Sequence, residues 1–110
     1  MLQLLKKLFE KPLSTDFKSL MNNGAIIIDV RTAGEYNSGH IKGSLNIPVD
    51  RIASKVEEIR KKKKLVITCC RSGARSGMAA GILKKQGIEC YNGGPWNSLQ
   101  TKIKIGRAHV

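Results

Sequence analysis

The segment AIIIDV, residues 25–30, constrains the fold more than any other part of the chain. It is a continuous apolar run, rich in β-branched residues, that takes in a single aspartate, Asp29. A strand with one wet face would alternate apolar and polar residues. A strand with apolar side chains on both faces is covered on both sides, as in a parallel sheet between helices. LVITC, residues 65–69, is a second run of the same kind.

The segments between these runs read as helices and turns. Ser14 or Thr15 can N-cap a short helix through about Asn22, with Asp16 in its first turn and Gly24 just past its end. A helical turn over Ala33–Ser38 ends at Gly39, and His40–Ile41 begin a brief strand that LNIP (45–48) carries to Pro48. Asp50 can cap the next helix, where Ile52, Val56 and Ile59 recur at helical spacing. The basic run Arg60–Lys64 falls at that helix's C-terminus, where the dipole favours cations. Residues 75–86 predict a helix with Met78, Ala79, Ile82 and Leu83 inward, ended by Gly87. IECY (88–91) predicts a strand, NGG (92–94) a turn, and Pro95 the start of a last helix reaching about Gln100. Strands alternating with helices imply an α/β domain with a mostly parallel central sheet and helices on both faces. In such sheets ligands bind beyond the carboxyl ends of the strands, where Asp29 and the cysteine loop both fall.

At 110 residues the chain is one domain's length, and 41% apolar content suits a globular core. The formal charge of +12 implies attraction to anions. The basic runs have no interleaved aromatics of the kind that stack nucleic-acid bases, which argues against a nucleic-acid partner. Three cysteines, Cys69, Cys70 and Cys90, show no metal-ligand spacing and are too few for a disulfide scaffold, so a reducing cytoplasm is expected. Residues 1–11 read as an amphipathic extension, too short to span a bilayer and without a secretory leader's features, and no membrane partner is expected. Residues 12–103 form the domain. KIGRAHV, residues 104–110, lacks periodicity and reads like translated sequencing-adapter sequence, a non-native or disordered tail. It is set aside, and His109 with it.

The chemistry concentrates in TCCRSGARSG, residues 68–77. A strand ends at Cys69 or Cys70 and a helix begins near Arg75, with Gly73 between them free to take unusual backbone angles. Such a loop can turn several amide N–H groups toward one centre above a helix N-terminus, which makes an anion nest. A thiol at the nest would be partly ionised near neutral pH, and Arg71 and Arg75 add positive charge. Counted from Cys70, Arg75 closes a C-x4-R loop; counted from Cys69, a C-x5-R loop.

DVR (29–31), Glu35–Tyr36, GHIKGSLNIP (39–48), CRSGARS (70–76) and NGG (92–94) with Trp96 form an ordered set over roughly residues 13–100. In these blocks the chain resembles the rhodanese family. The resemblance implies a three-layer α/β fold and a sulfurtransferase. Cys70 would take a sulfane sulfur from a small anionic donor such as thiosulfate and pass it to cyanide, a thiol or a sulfur-relay protein. The loop formed by Arg71, Ser72, Gly73, Ala74 and Arg75 would bind the donor and the persulfide. Within it, Arg71 would steer the donor and Arg75 would order the loop. Asp29, Arg31, Glu35 and His40 would be structural support, with Glu35 paired to a cation and His40 tying loops together. Cys90 would be a buried apolar residue. No metal or organic cofactor is implied.

Two alternatives accompany that reading. Phosphatase and arsenate-reductase relatives on this fold use a loop one residue longer, which would require Cys69 as nucleophile. Rhodanese-like binding modules without catalysis form the other class, and these commonly lack the cysteine.

Overall fold

The computed structural model describes residues 15–108, with side chains described through residue 104. The N-terminal extension lies outside the described residues. Four parallel strands form one sheet: β1 (Ile26–Asp29), β2 (Leu45–Asn46), β3 (Val66–Cys70) and β4 (Cys90–Pro95), in the order β2-β1-β3-β4. Among the described residues five α-helices accompany them: α1 (Phe17–Asn22), α2 (Ala33–Asn37), α3 (Val56–Lys61), α4 (Ala74–Lys85) and α5 (Trp96–Ala108). The α/β class and the parallel sheet are as the sequence predicts.

The two apolar runs occupy the two central strands. Register pairs Ile26 with Val66 and Asp29 with Cys69. Because side chains alternate across a strand, each run feeds two cores. Ile28, Val30, Val66 and Cys70 face one core, with Ile52, Val56 and Ile59 from the α3 region and Ala79, Ala80 and Leu83 from α4. Ile27, Ile67 and Cys69 face the other, with Phe17 of α1 and Leu99 of α5. Full burial of an isoleucine such as Ile28 or Ile67 contributes roughly 1.5–3 kcal/mol, which is why these runs anchor the sheet.

Local boundaries depart from the sequence reading in several places. Asp16, not Ser14 or Thr15, caps α1, its carboxylate accepting from the Ser19 N–H at 3.1 Å. His40–Ile41 form no strand; Ile41 turns inward and its carbonyl accepts from the Ser44 N–H, closing a turn around Gly43. Asp50 caps no helix but sits in a 3-10 turn, Val49–Arg51, while α3 starts only at Val56. The inward residues Ile52, Val56 and Ile59 are nonetheless those the spacing selects.

Helix α4 starts at Ala74, one residue early, because Gly73 takes φ of 100° and turns the chain directly into it. Its buried stripe is Ser76, Ala79, Ala80 and Leu83, and Met78 is 62% exposed rather than inward. The strand predicted at 88–91 runs from Cys90 to Pro95 and absorbs the NGG predicted as a turn. A bulge between Thr68 and Cys70 in the β3–β4 register accommodates the two glycines. Pro95 is therefore the last strand residue, and α5 begins at Trp96 and continues to Ala108, past Gln100.

Candidate functional site

Cys69 and Cys70 are consecutive residues of one strand, so their side chains leave opposite faces of the sheet. The strand thus runs one residue further than the sequence suggests, since Cys70 still pairs with Pro95. Cys69 points into the core between α1 and α5, and burial, with Asp29 nearby, pushes its thiol far above the ordinary range. Cys90 is buried in the opposite core and pushed up to about 11 by burial alone.

Cys70 points instead at the loop between β3 and α4. Its sulfur accepts from the Gly73 N–H at 2.9 Å and the Ser76 N–H at 3.4 Å, and lies 3.3 Å from the Ser76 hydroxyl. Burial alone would raise this thiol. The Ser76 hydroxyl and the amides of Ser76, Gly73 and Ser72 outweigh it, and the thiol falls below its ordinary value. Hydrogen bonds that favour the anion, rather than a neighbouring base, are what lower this thiol.

The loop and the first turn of α4 are held by β3 and β4. Thr68 donates to the Ser76 carbonyl at 2.8 Å. The Asn92 side chain donates to the Gly73 carbonyl at 3.2 Å and lies 2.6 Å from the Ser76 hydroxyl. Ser76 and Asn92 were not singled out from the sequence. Ser76 could have been found as the first residue of the inward helical stripe 76, 79, 80, 83. Asn92 gave no signal, because NGG reads as a turn.

Arg75 does not face the sulfur with a free guanidinium. Its Nη1 and Nη2 meet Glu35 Oε1 and Oε2 at 2.8 and 3.0 Å. Glu35 also accepts from the Thr32 N–H at 3.0 Å and completes a capping box on α2. The Arg75 guanidinium, with the Thr32 backbone, holds the Glu35 carboxyl down at about 2.

Arg31 and Asp29 form a buried pair at the end of β1. Arg31 Nη2 lies 2.7 Å from Asp29 Oδ2 and donates to the Gly39 carbonyl at 2.7 Å. Its guanidinium stacks 4.7 Å from the Trp96 ring centroid. Asn46 donates to the Asp29 and Arg31 carbonyls, both at 3.0 Å, and fastens β2 to this corner. His40 is exposed, stacked on Tyr36 at 3.7 Å, with Nδ1 2.8 Å from the Tyr36 carbonyl.

Arg71 and Ser72 are exposed on the loop, as is Ala74 at the start of α4. Among the described residues, Arg71 has no hydrogen bond or ion pair to its side chain. It lines a cleft of about 430 Å³ with Arg31, Glu35, Ser38, Trp96 and Asn97. Cys70 has no exposed surface and does not line this cleft, although its neighbour Arg71 does. The arrangement brings Cys70, the loop, Arg75 and Glu35 together, and places Asp29 and Arg31 as the neighbouring corner. His40 stands apart.

Comparison with known proteins agrees with this architecture. Residues 13–95 match the family model described as "Rhodanese-like domain". The chain is 35% identical over 91 residues to the uncharacterized protein YqhL of Bacillus subtilis, covering 82% of this chain and 68% of that protein. It is 40% identical over 62 residues to a sulfurtransferase of Allochromatium vinosum, covering 56% of this chain and 57% of that protein. Among solved structures, the human single-domain sulfurtransferase TSTD1 superposes with a TM-score of 0.60 at 27% identity, over 76% of this chain and 89% of that one. With its parallel sheet, its cysteine loop and this match over most of its length, the chain belongs to the rhodanese-like domain family.

Proposed function

We propose that the chain is a sulfurtransferase that carries a sulfane sulfur on Cys70. One observation carries the reading: the Cys70 sulfur is bonded by the Gly73 and Ser76 amides and approached by the Ser76 hydroxyl, at the carboxyl end of a central strand. These groups favour a thiolate, and they would equally favour the anion of a persulfide one atom further out.

With thiosulfate as donor, the thiolate attacks the outer sulfur. The S–S bond of thiosulfate breaks, sulfite leaves with its electron pair, and Cys70–S–S⁻ remains. Cyanide or an acceptor thiolate then attacks the terminal sulfur, the Cys70–S bond breaks, and the Cys70 thiolate is restored. No external oxidant enters and no general base is required. Arg71, free of protein partners among the described residues, is the cation placed to attract the donor. Since the sulfur is covered, access for the donor requires the loop around Gly73 to move. In a cell the acceptor would be a thiol or a sulfur-relay protein in the cytoplasm.

The pairing of Arg75 with Glu35 speaks against oxyanion hydrolysis, which would need that guanidinium for the substrate. Turnover of thiosulfate and cyanide to thiocyanate, measured beside an aryl phosphate, tests the proposal. Thiocyanate without phosphate release supports it. Phosphate release without thiocyanate contradicts it.

A further inference from the structure

Ser76 has one hydroxyl proton and three acceptors around it. The Asn92 Oδ1 lies at 2.6 Å, the Gly73 carbonyl at 3.1 Å and the Cys70 sulfur at 3.3 Å. The Gly73 carbonyl is already served by the Gly77 N–H at 3.0 Å and by Asn92 Nδ2 at 3.2 Å. The contest for the proton is therefore between sulfur and Asn92.

The orientation of the Asn92 amide is fixed from both ends. Its Oδ1 accepts from the Gly94 N–H at 3.0 Å while its Nδ2 donates to Gly73. The surroundings are shaped to hold it. A Cβ on Gly77 would stand 3.1 Å from Asn92 Nδ2, so a side chain there would crowd it. Gly94, whose N–H meets Oδ1, takes φ of 78°, a conformation that glycine adopts at no cost.

Two hydrogen-bond arrangements follow. With Cys70 as a thiol, the S–H donates to Ser76 Oγ and the Ser76 O–H donates to Asn92. With Cys70 as a thiolate, the sulfur accepts the Ser76 hydroxyl in addition to the Gly73 and Ser76 amides. Ser76 Oγ and Asn92 Oδ1 then face each other without a proton between them, which is unfavourable at that separation.

We propose that Asn92 is a positioning residue that competes with the Cys70 sulfur for the Ser76 hydroxyl proton, and so restrains ionisation of the thiol. This deepens the sulfurtransferase reading and rests on it for its meaning, but its readout needs no sulfur transfer. The charged and titratable groups around Cys70 are Arg71 on the loop, Arg75 of α4 held by Glu35 of α2, Asp29 and Arg31 at the end of β1, Cys69 of β3, and Cys90 and Tyr91 of β4. None of them supplies the proton in question.

The test is the pH profile of Cys70 alkylation by iodoacetamide, with the label located by peptide fragmentation. Four proteins are compared: wild type, Ser76→Ala, Asn92→Ala and the double variant. Ser76→Ala shifts the midpoint to higher pH by about one unit, the loss of one hydrogen bond to an anion. Asn92→Ala shifts it the opposite way, by about half a unit or more. In the Ser76→Ala background, Asn92→Ala has no further effect, because its action passes through Ser76. A shift to higher pH or no shift in Asn92→Ala overturns the proposal, as does an equal shift in both backgrounds. Asn92→Ser, too short to reach Ser76, gives the same result if the alanine variant does not fold. Profiles that move as stated in a protein without thiocyanate turnover would contradict the sulfurtransferase reading and leave this one standing.

Discussion

Arg75 and Glu35 meet end to end, two guanidinium nitrogens on two carboxylate oxygens at 2.8 and 3.0 Å, across 40 residues of sequence. The pair joins the first turn of α4 to the first turn of α2, so the cysteine loop is closed by a clamp rather than by substrate. The Glu35 carboxyl is held at about 2, well below its unfolded value near 4.5. Its stabilisation is therefore present above about pH 4.5 and is lost as pH falls toward about 2. Thermal melts of wild type and Glu35→Gln should differ by a constant amount above pH 5 or so and converge in that acid window. Curves that stay parallel down to about pH 2 would refute the clamp.

The Asp29–Arg31 pair is a different case because it is buried. Asp29→Ala leaves the Arg31 charge without its carboxylate, and such a loss costs about 3–5 kcal/mol. Denaturant unfolding would show it as a lower midpoint. A loss under about 1 kcal/mol would mean that the Gly39 and Glu35 carbonyls and the Trp96 ring are sufficient partners.

The three cysteines should separate by reactivity. Cys70 is favoured as thiolate, while burial pushes Cys69 far up and Cys90 to about 11. In the folded protein near pH 7, iodoacetamide should therefore label Cys70 at least about ten times faster than either of the others. Equal labelling, or Cys69 first, would contradict the assigned faces.

Two glycines should respond in opposite directions. Gly93 sits where β4 crosses β3 closely; a Cβ there would lie 2.8 Å from the Thr68 carbonyl and 2.9 Å from both Ile67 and Leu99 side chains. Gly93→Ala should destabilise by about 1–3 kcal/mol. Gly81 lies within α4 with nothing within 4 Å of its Cβ position, and Gly81→Ala should stabilise by about 0.5–1 kcal/mol. Paired melting curves decide both.

What was legible in the sequence followed the strength of local patterns. AIIIDV and LVITC have one physical solution, a strand covered on both faces, and they became the two central strands. The NGG segment reads as a turn because glycine pairs mark turns when only local chemistry is considered, yet it lies within β4. Here they permit a bulge and a close strand crossing that only the neighbouring β3 explains. The face of α4 differs from the expected one at Met78 because the small residues Ser76, Ala79 and Ala80, with Leu83, form the inward stripe, and apolarity alone does not select it. Asn92 was invisible for the same reason as the bulge, since its partners lie 16 and 19 residues away.

Cys70 is the residue proposed to carry the sulfur. Intact and peptide mass spectra after exposure to thiosulfate, taken on wild type, Cys69→Ser and Cys70→Ser, test it most directly. Wild type and Cys69→Ser should gain about 32 Da, one sulfur atom as a persulfide, located on Cys70. Cys70→Ser should gain nothing. An adduct that survives in Cys70→Ser and disappears in Cys69→Ser would contradict the register, the loop and the reaction together.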